Sequence, residues 1–156
     1  MNKKRLWLWI LPLIWMCIIF GLSHQAADES SDLSGNFLRI VDRFLGLLGL
    51  DIDEGVLHSL VRKTAHFLLY FVLACLLYIA AYFNVRSRIK TIVISGLVSI
   101  AYAITDEVHQ YFVPGRSCEL RDVLIDTSGA VLAILCCLAI GALYRAKRKE
   151  KGKDLA

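Results

Sequence analysis

The chain is missing most of the signatures that would announce a chemistry. It contains no Cys-x-x-Cys pair, no Cys/His spacing of the zinc-binding kind and no His-Glu-x-x-His, so no dense metal-ligand motif is present. No cofactor and no metal are therefore expected. The five cysteines build no disulfide framework. Cys17, Cys75, Cys136 and Cys137 lie inside apolar runs, where a thiol behaves as a small hydrophobe, and Cys118 alone falls in a polar loop. Trp15-Met16 before Cys17 replaces the small residues that a lipoprotein cleavage site needs. Internal repeats and low-complexity segments are absent. So is a basic, aromatic-studded soluble domain, which excludes a nucleic-acid partner. The net charge of +4 instead collects at the two ends, in Lys3-Lys4-Arg5 and from Arg145 to Lys153.

What the chain has in abundance is hydrocarbon. Of its 156 residues 57% are hydrophobic, with a mean hydropathy of +0.57, against about 45–50% in soluble domains. Four runs approach the length needed to cross ~30 Å of hydrocarbon at ~1.5 Å per residue. They cover about 6–22, 67–83, 91–110 and 123–143 of a single domain, 1–156. Basic clusters precede the first run, separate the second from the third (Arg86, Arg88, Lys90) and follow the fourth. The positive-inside rule then places both termini and the 84–90 loop in the cytoplasm, with 23–65 and 106–122 outside. The fold class is all-α, an integral membrane four-helix bundle in the cell membrane. The first run could alternatively be a cleaved signal peptide, with Ala26-Ala27 as its cleavage region. Trp7, Trp9 and Trp15 fit an anchored helix with interfacial aromatics better.

The outer segment contains a second pattern. Leu33, Phe37, Val41, Phe44, Leu45 and Leu48 recur at helical spacing, after Ser30, Ser31 or Asp32 as a cap. This predicts an amphipathic interfacial helix over about 32–48 on the outer side. Asp53 or Glu54 can start another helix that runs into the second span. The tail 145–156 is expected to be basic and solvated or lipid-associated.

The organising stretch is Asp106-Glu107-Val108-His109-Gln110, at the end of the third run. An uncompensated charge at a helix centre in lipid costs ~2.5–3.5 kcal/mol on insertion scales, so these groups need partners. The apolar part of the third run, about 15 residues, spans only about 23 Å, and the helix must continue through Asp106 to about Gln110 to cross. Ser95, Ser99, Tyr102, Asp106 and His109 then form one stripe, at steps of three and four. The fourth span opens with Asp122 and Asp126, one turn apart, followed by Gly129 and Ala133 as a small-residue path. The second enters through Arg62, Lys63, His66 and Tyr70, and the first leaves at Ser23-His24-Gln25. All four runs thus bring polar groups to one depth on the outer side, with nothing comparable at the cytoplasmic ends.

At these residues the chain resembles the VanZ-like family. The matching elements are Ser23-His24-Gln25, Arg62-Lys63-Thr64-Ala65-His66-Phe67, Asp106 to Gln110, Phe112-Val113-Pro114-Gly115-Arg116, and Asp122 to Asp126 followed by Gly129. The family takes its name from an accessory membrane protein linked to resistance against the lipoglycopeptide teicoplanin. The resemblance implies membrane location and a role in the cell envelope.

Three readings of the cluster stay open. In the first it recognises the polar head of an amphipathic envelope molecule, a lipoglycopeptide antibiotic or a lipid-linked cell-wall precursor, with membrane lipids as further partners. Ser23, His24, Gln25, Arg62, Lys63, Gln110, Arg116 and Asp122 would then bind the ligand. Arg116 would be aimed back by the Pro114-Gly115 turn and would hold a phosphate or carboxylate through its fork. In the second, Asp106, Glu107, His109, His66 and Asp126 perform acid/base chemistry in a hydrolase or transferase; a variant of this reading would use the same five as metal ligands. In the third the groups form an ion-pair network that fixes helix register.

Overall fold

The computed structural model describes residues 3–24, 52–114 and 119–153, together with Val41, Arg43, Gly46 and Leu47. A 3-10 turn over Lys3–Trp9 leads into α1 (Ile10–Ser23). Helices α2 (Glu54–Asn84), α3 (Arg88–Gln110) and α4 (Leu120–Lys153) follow. Each of the four helical segments is long and apolar enough to cross a membrane. The interfacial helix expected over 32–48 falls outside the described residues apart from those four positions.

Local sequence sets the helix ends. The Asp53 carboxylate accepts the backbone N–H groups of Gly55 at 2.9 Å and Val56 at 3.2 Å, satisfying donors that a helix start leaves open. Ser87 does the same for Lys90, at 3.3 Å. At the end of α3 the chain turns through Tyr111–Val113, whose N–H groups bond back to Glu107, His109 and Gln110. With 31 residues α2 is about 46 Å long and overshoots the hydrocarbon layer. α4 stays helical to Lys153, through most of the expected basic tail.

The helices run up, down, up and down. Arg5 donates to the Phe83 carbonyl at 3.1 Å and Asn84 returns a bond to the Arg5 carbonyl at 3.3 Å, joining the start of the first span to the end of α2. Exposed Arg86, Arg88 and Lys90 lie at that same basic end. Ser23, Glu54, Gln110 and Leu120 mark the opposite, polar end. α2 packs most extensively on α4, and both pack on α3; among the described residues α1 lies against α2 and α3 without a close backbone approach to α4. Two apolar clusters hold this arrangement. Ile19, Tyr70, Leu73, Leu77 and Ala103 join α1, α2 and α3. Ala74, Tyr78, Ala130, Ala133 and Ile134 join α2 to α4. The outward faces carry Leu13, Ile14, Leu97, Ile104, Leu135 and Ile140, all exposed on the protein itself, as a lipid-facing belt requires.

Candidate functional site

The stripe on α3 faces the bundle interior. Ser95 and Ser99 are fully buried, Asp106 is 3% exposed and Tyr102 is half-buried. Ser95 returns its hydroxyl to the Thr91 carbonyl at 2.7 Å, a local bond that lets a serine sit in an apolar interior. Tyr102 donates to the Met16 carbonyl on α1, and Trp15 on α1 donates to the Leu69 carbonyl on α2 at 2.9 Å. These two bonds fix the rotation and depth of α1, which brings its last residue level with Asp106.

At that level Ser23 donates to Asp106 Oδ2 at 2.9 Å. Gln110, one turn above Asp106, donates to the same oxygen at 3.2 Å and lies 3.4 Å from the Ser23 hydroxyl. All three residues are at least nine-tenths buried. The other oxygen of Asp106, Oδ1, is buried without a hydrogen-bond partner among the described residues.

Across from it, α2 and α4 meet through Gly129. A Cβ there would fall well inside contact distance of the Phe67 carbonyl oxygen, so only glycine allows the two backbones to pass this closely. Asp126 stands one turn from Gly129, and His66 precedes Phe67. The result is a His66 Nδ1–Asp126 Oδ2 distance of 3.5 Å, with the Asp126 side chain 1% exposed. Asp126 Oδ1, like Asp106 Oδ1, has no hydrogen-bond partner among the described residues. Ligand atoms of His66, Asp106 and Asp126 all lie within 4.8 Å of one another. The buried Tyr70 side chain is close enough to interact electrostatically with both aspartates.

Around this centre, Lys63 pairs with Asp122 at 3.5 Å, both partly exposed. Arg62, Lys63, His66, Gln110, Asp122, Ile125 and Asp126 line a cleft with about 210 Å³ of empty space, including the part open to the surroundings. Glu107 turns toward α4, where it accepts the Glu119 backbone N–H at 2.7 Å.

The structure therefore gathers most of the expected residues but in two groups. His66, Asp106, Asp126, Ser23, Gln110, Arg62, Lys63, Asp122 and Glu107 surround the α2–α3–α4 junction. His24 and His109 form a separate pair toward α1: their ring nitrogens are 3.3 Å apart, and Phe20 stacks on His109 with 4.4 Å between ring centres. The stripe spacing placed His109 on the same face of α3 as Asp106, and the rotation of α1 gave it His24 as its neighbour. Gln25 and Arg116 lie outside the described residues. Sequence reasoning missed the Glu119 N–H as the partner of Glu107; a backbone donor twelve positions away leaves no residue-type signal. It also missed Phe20, although the i,i+4 step from Phe20 to His24 is visible in the sequence.

The family model described as VanZ/LLP1 matches residues 8–141, most of the chain and all four of these helices in whole or part. No curated protein and no solved structure matches it.

Proposed function

This chain belongs to the VanZ/LLP1 family, and we propose that it recognises the polar head of an amphipathic cell-envelope molecule at the polar end of its bundle, which faces out of the cell. The orientation rests on the three basic clusters at the opposite end. The recognition rests on one observation: Arg62 and Lys63, two cations, border a cleft whose inner wall is His66 and Asp126. The cations at its rim suit a phosphate or carboxylate head, and the apolar remainder would lie among the lipid-facing helices. Lys63 already pairs with Asp122, so an incoming anion competes for that cation, whereas Arg62 offers a bidentate fork. A lipid-linked wall precursor or a lipoglycopeptide has this division into charged head and apolar tail. The family's name makes a contribution to teicoplanin-type resistance the physiological reading.

A second reading, a hydrolase or transferase, draws on the His66–Asp126 pair beside Asp106, the kind of imidazole–carboxylate contact that general acid/base catalysis uses. Purified protein incubated with a labelled lipid-linked precursor, or with teicoplanin, separates the two. Saturable binding of an unchanged molecule supports recognition; a new product supports the enzyme. In cells, Asp106→Asn and Arg116→Ala proteins should accumulate normally and lose the envelope phenotype. Full activity of both would refute a functional cluster, and loss of the protein itself would assign the network a structural role.

A further inference from the structure

The buried junction has a charge imbalance. Among the described residues at this level, Asp106, Glu107, Glu119, Asp122 and Asp126 outnumber Arg62, Lys63 and Arg121, and Lys63 is already committed to Asp122. Two of the carboxylates, Asp106 and Asp126, are almost wholly buried and face each other from different helices, and each keeps one oxygen without a hydrogen-bond partner among the described residues. Buried carboxylates placed this close repel strongly in a low-dielectric interior unless something positive lies between them. His66 completes the third side, with ligand atoms of all three residues within 4.8 Å of one another.

We propose that His66, Asp106 and Asp126 form a three-ligand site for a divalent transition-metal ion of the zinc or manganese type. One imidazole and two carboxylates suit such an ion, whereas magnesium prefers an all-oxygen shell. Ligands about 2.1 Å from a shared ion stand roughly 3.4 Å apart in a tetrahedral array. The His66–Asp126 spacing of 3.5 Å already meets this, and the other pairs, within 4.8 Å, need to close by at most about 1.4 Å. Asp106 is held for the role from behind: Ser23 and Gln110 both donate to Oδ2, which leaves Oδ1 for the ion. Such supporting bonds orient ligands at metal sites. Three protein ligands would leave a fourth position for water or an incoming group, and two of the three, His66 and Asp126, also line the cleft bordered by Arg62 and Lys63.

The test needs no envelope ligand, so its outcome is independent of the recognition reading. Full-length protein in detergent micelles is stripped with a chelator and equilibrated with Zn²⁺, Mn²⁺ or Co²⁺. Bound metal is measured by mass spectrometry, cobalt by its visible absorption. One equivalent per chain is expected, together with a rise in melting temperature. Asp126→Asn and Asp106→Asn should each weaken binding by tenfold or more, and Ser23→Ala, which leaves every ligand in place, should weaken it by about ten- to a hundredfold. The other imidazole pair is the competing location. Metal retained undiminished by Asp126→Asn but lost in the His24→Gln/His109→Gln double variant would overturn the assignment. So would wild-type protein that keeps no metal and gains no thermal stability, the behaviour of two carboxylates that share a proton; that measurement holds whether or not the variants fold.

Discussion

Replacing Gly129 with alanine tests how the site is assembled. In most helices the change stabilises, by about 1 kcal/mol of intrinsic propensity. Here the added methyl would lie well inside contact distance of the Phe67 carbonyl oxygen, and also within 3.3 Å of the Phe67 ring. The obstructing atom is backbone, so no side-chain rotation relieves it, and α4 must move off α2 by about 1 Å. Overpacking of this kind costs about 1–3 kcal/mol, enough to cancel the propensity gain and leave a net loss. The same movement would carry Asp126, one turn away, from 3.5 Å to about 4.5 Å from His66, beyond ion-pair range. The control is Gly141→Ala on the same helix, where the nearest obstacle is the flexible end of Arg145 at 3.8 Å. Thermal unfolding in detergent should show a lower transition for Gly129→Ala and an equal or higher one for Gly141→Ala. Oxidation of the native Cys75–Cys137 pair, whose sulfurs are 4.0 Å apart across α2 and α4, should slow in the first variant only. Equal stability of the two variants, with unchanged oxidation, would falsify the close-approach account.

The other expectations concern single contacts. Ser23→Ala removes one of two donors to a buried carboxylate and should destabilise the protein by about 1–3 kcal/mol, read by the same unfolding assay. Trp15→Phe deletes the bond to the Leu69 carbonyl; a loss of about 1 kcal/mol is expected, and none would mean that α1 is positioned by packing alone. A double-mutant cycle on Lys63→Gln and Asp122→Asn should give a coupling of at most about 1 kcal/mol, because both side chains remain partly exposed. In a cysteine-free background, Tyr111→Cys should react with a membrane-impermeant thiol reagent in intact cells while Arg86→Cys is protected. Both positions are exposed on the protein, so the reverse pattern would invert the orientation drawn from the basic clusters.

Much of the candidate site was legible because its signals are local. The steps from Ser95 to Asp106 put these residues on one interior face, and the shortness of the apolar run required α3 to reach Gln110, as it does. Asp53 was visible as a helix start because capping depends on residue type at one position. The packing order was not legible. Nothing in the sequence says that α1 rests on α2 and α3 and stays away from α4, or that His109 meets His24 and Phe20 while His66 meets Asp126.

The sequence by itself determined four apolar helices and the end of the bundle at which each carries its polar groups. Transfer into hydrocarbon and helix capping are summed residue by residue along one chain, so they can be read without knowing any neighbour. The tertiary structure alone decided which polar group faces which. Pairing depends on the rotation and separation of helices, and those are set by distant contacts such as Gly129 against Phe67 and Tyr102 against Met16. A shift of about 1 Å between two backbones leaves every local signal unchanged and still makes or breaks a contact between buried charges.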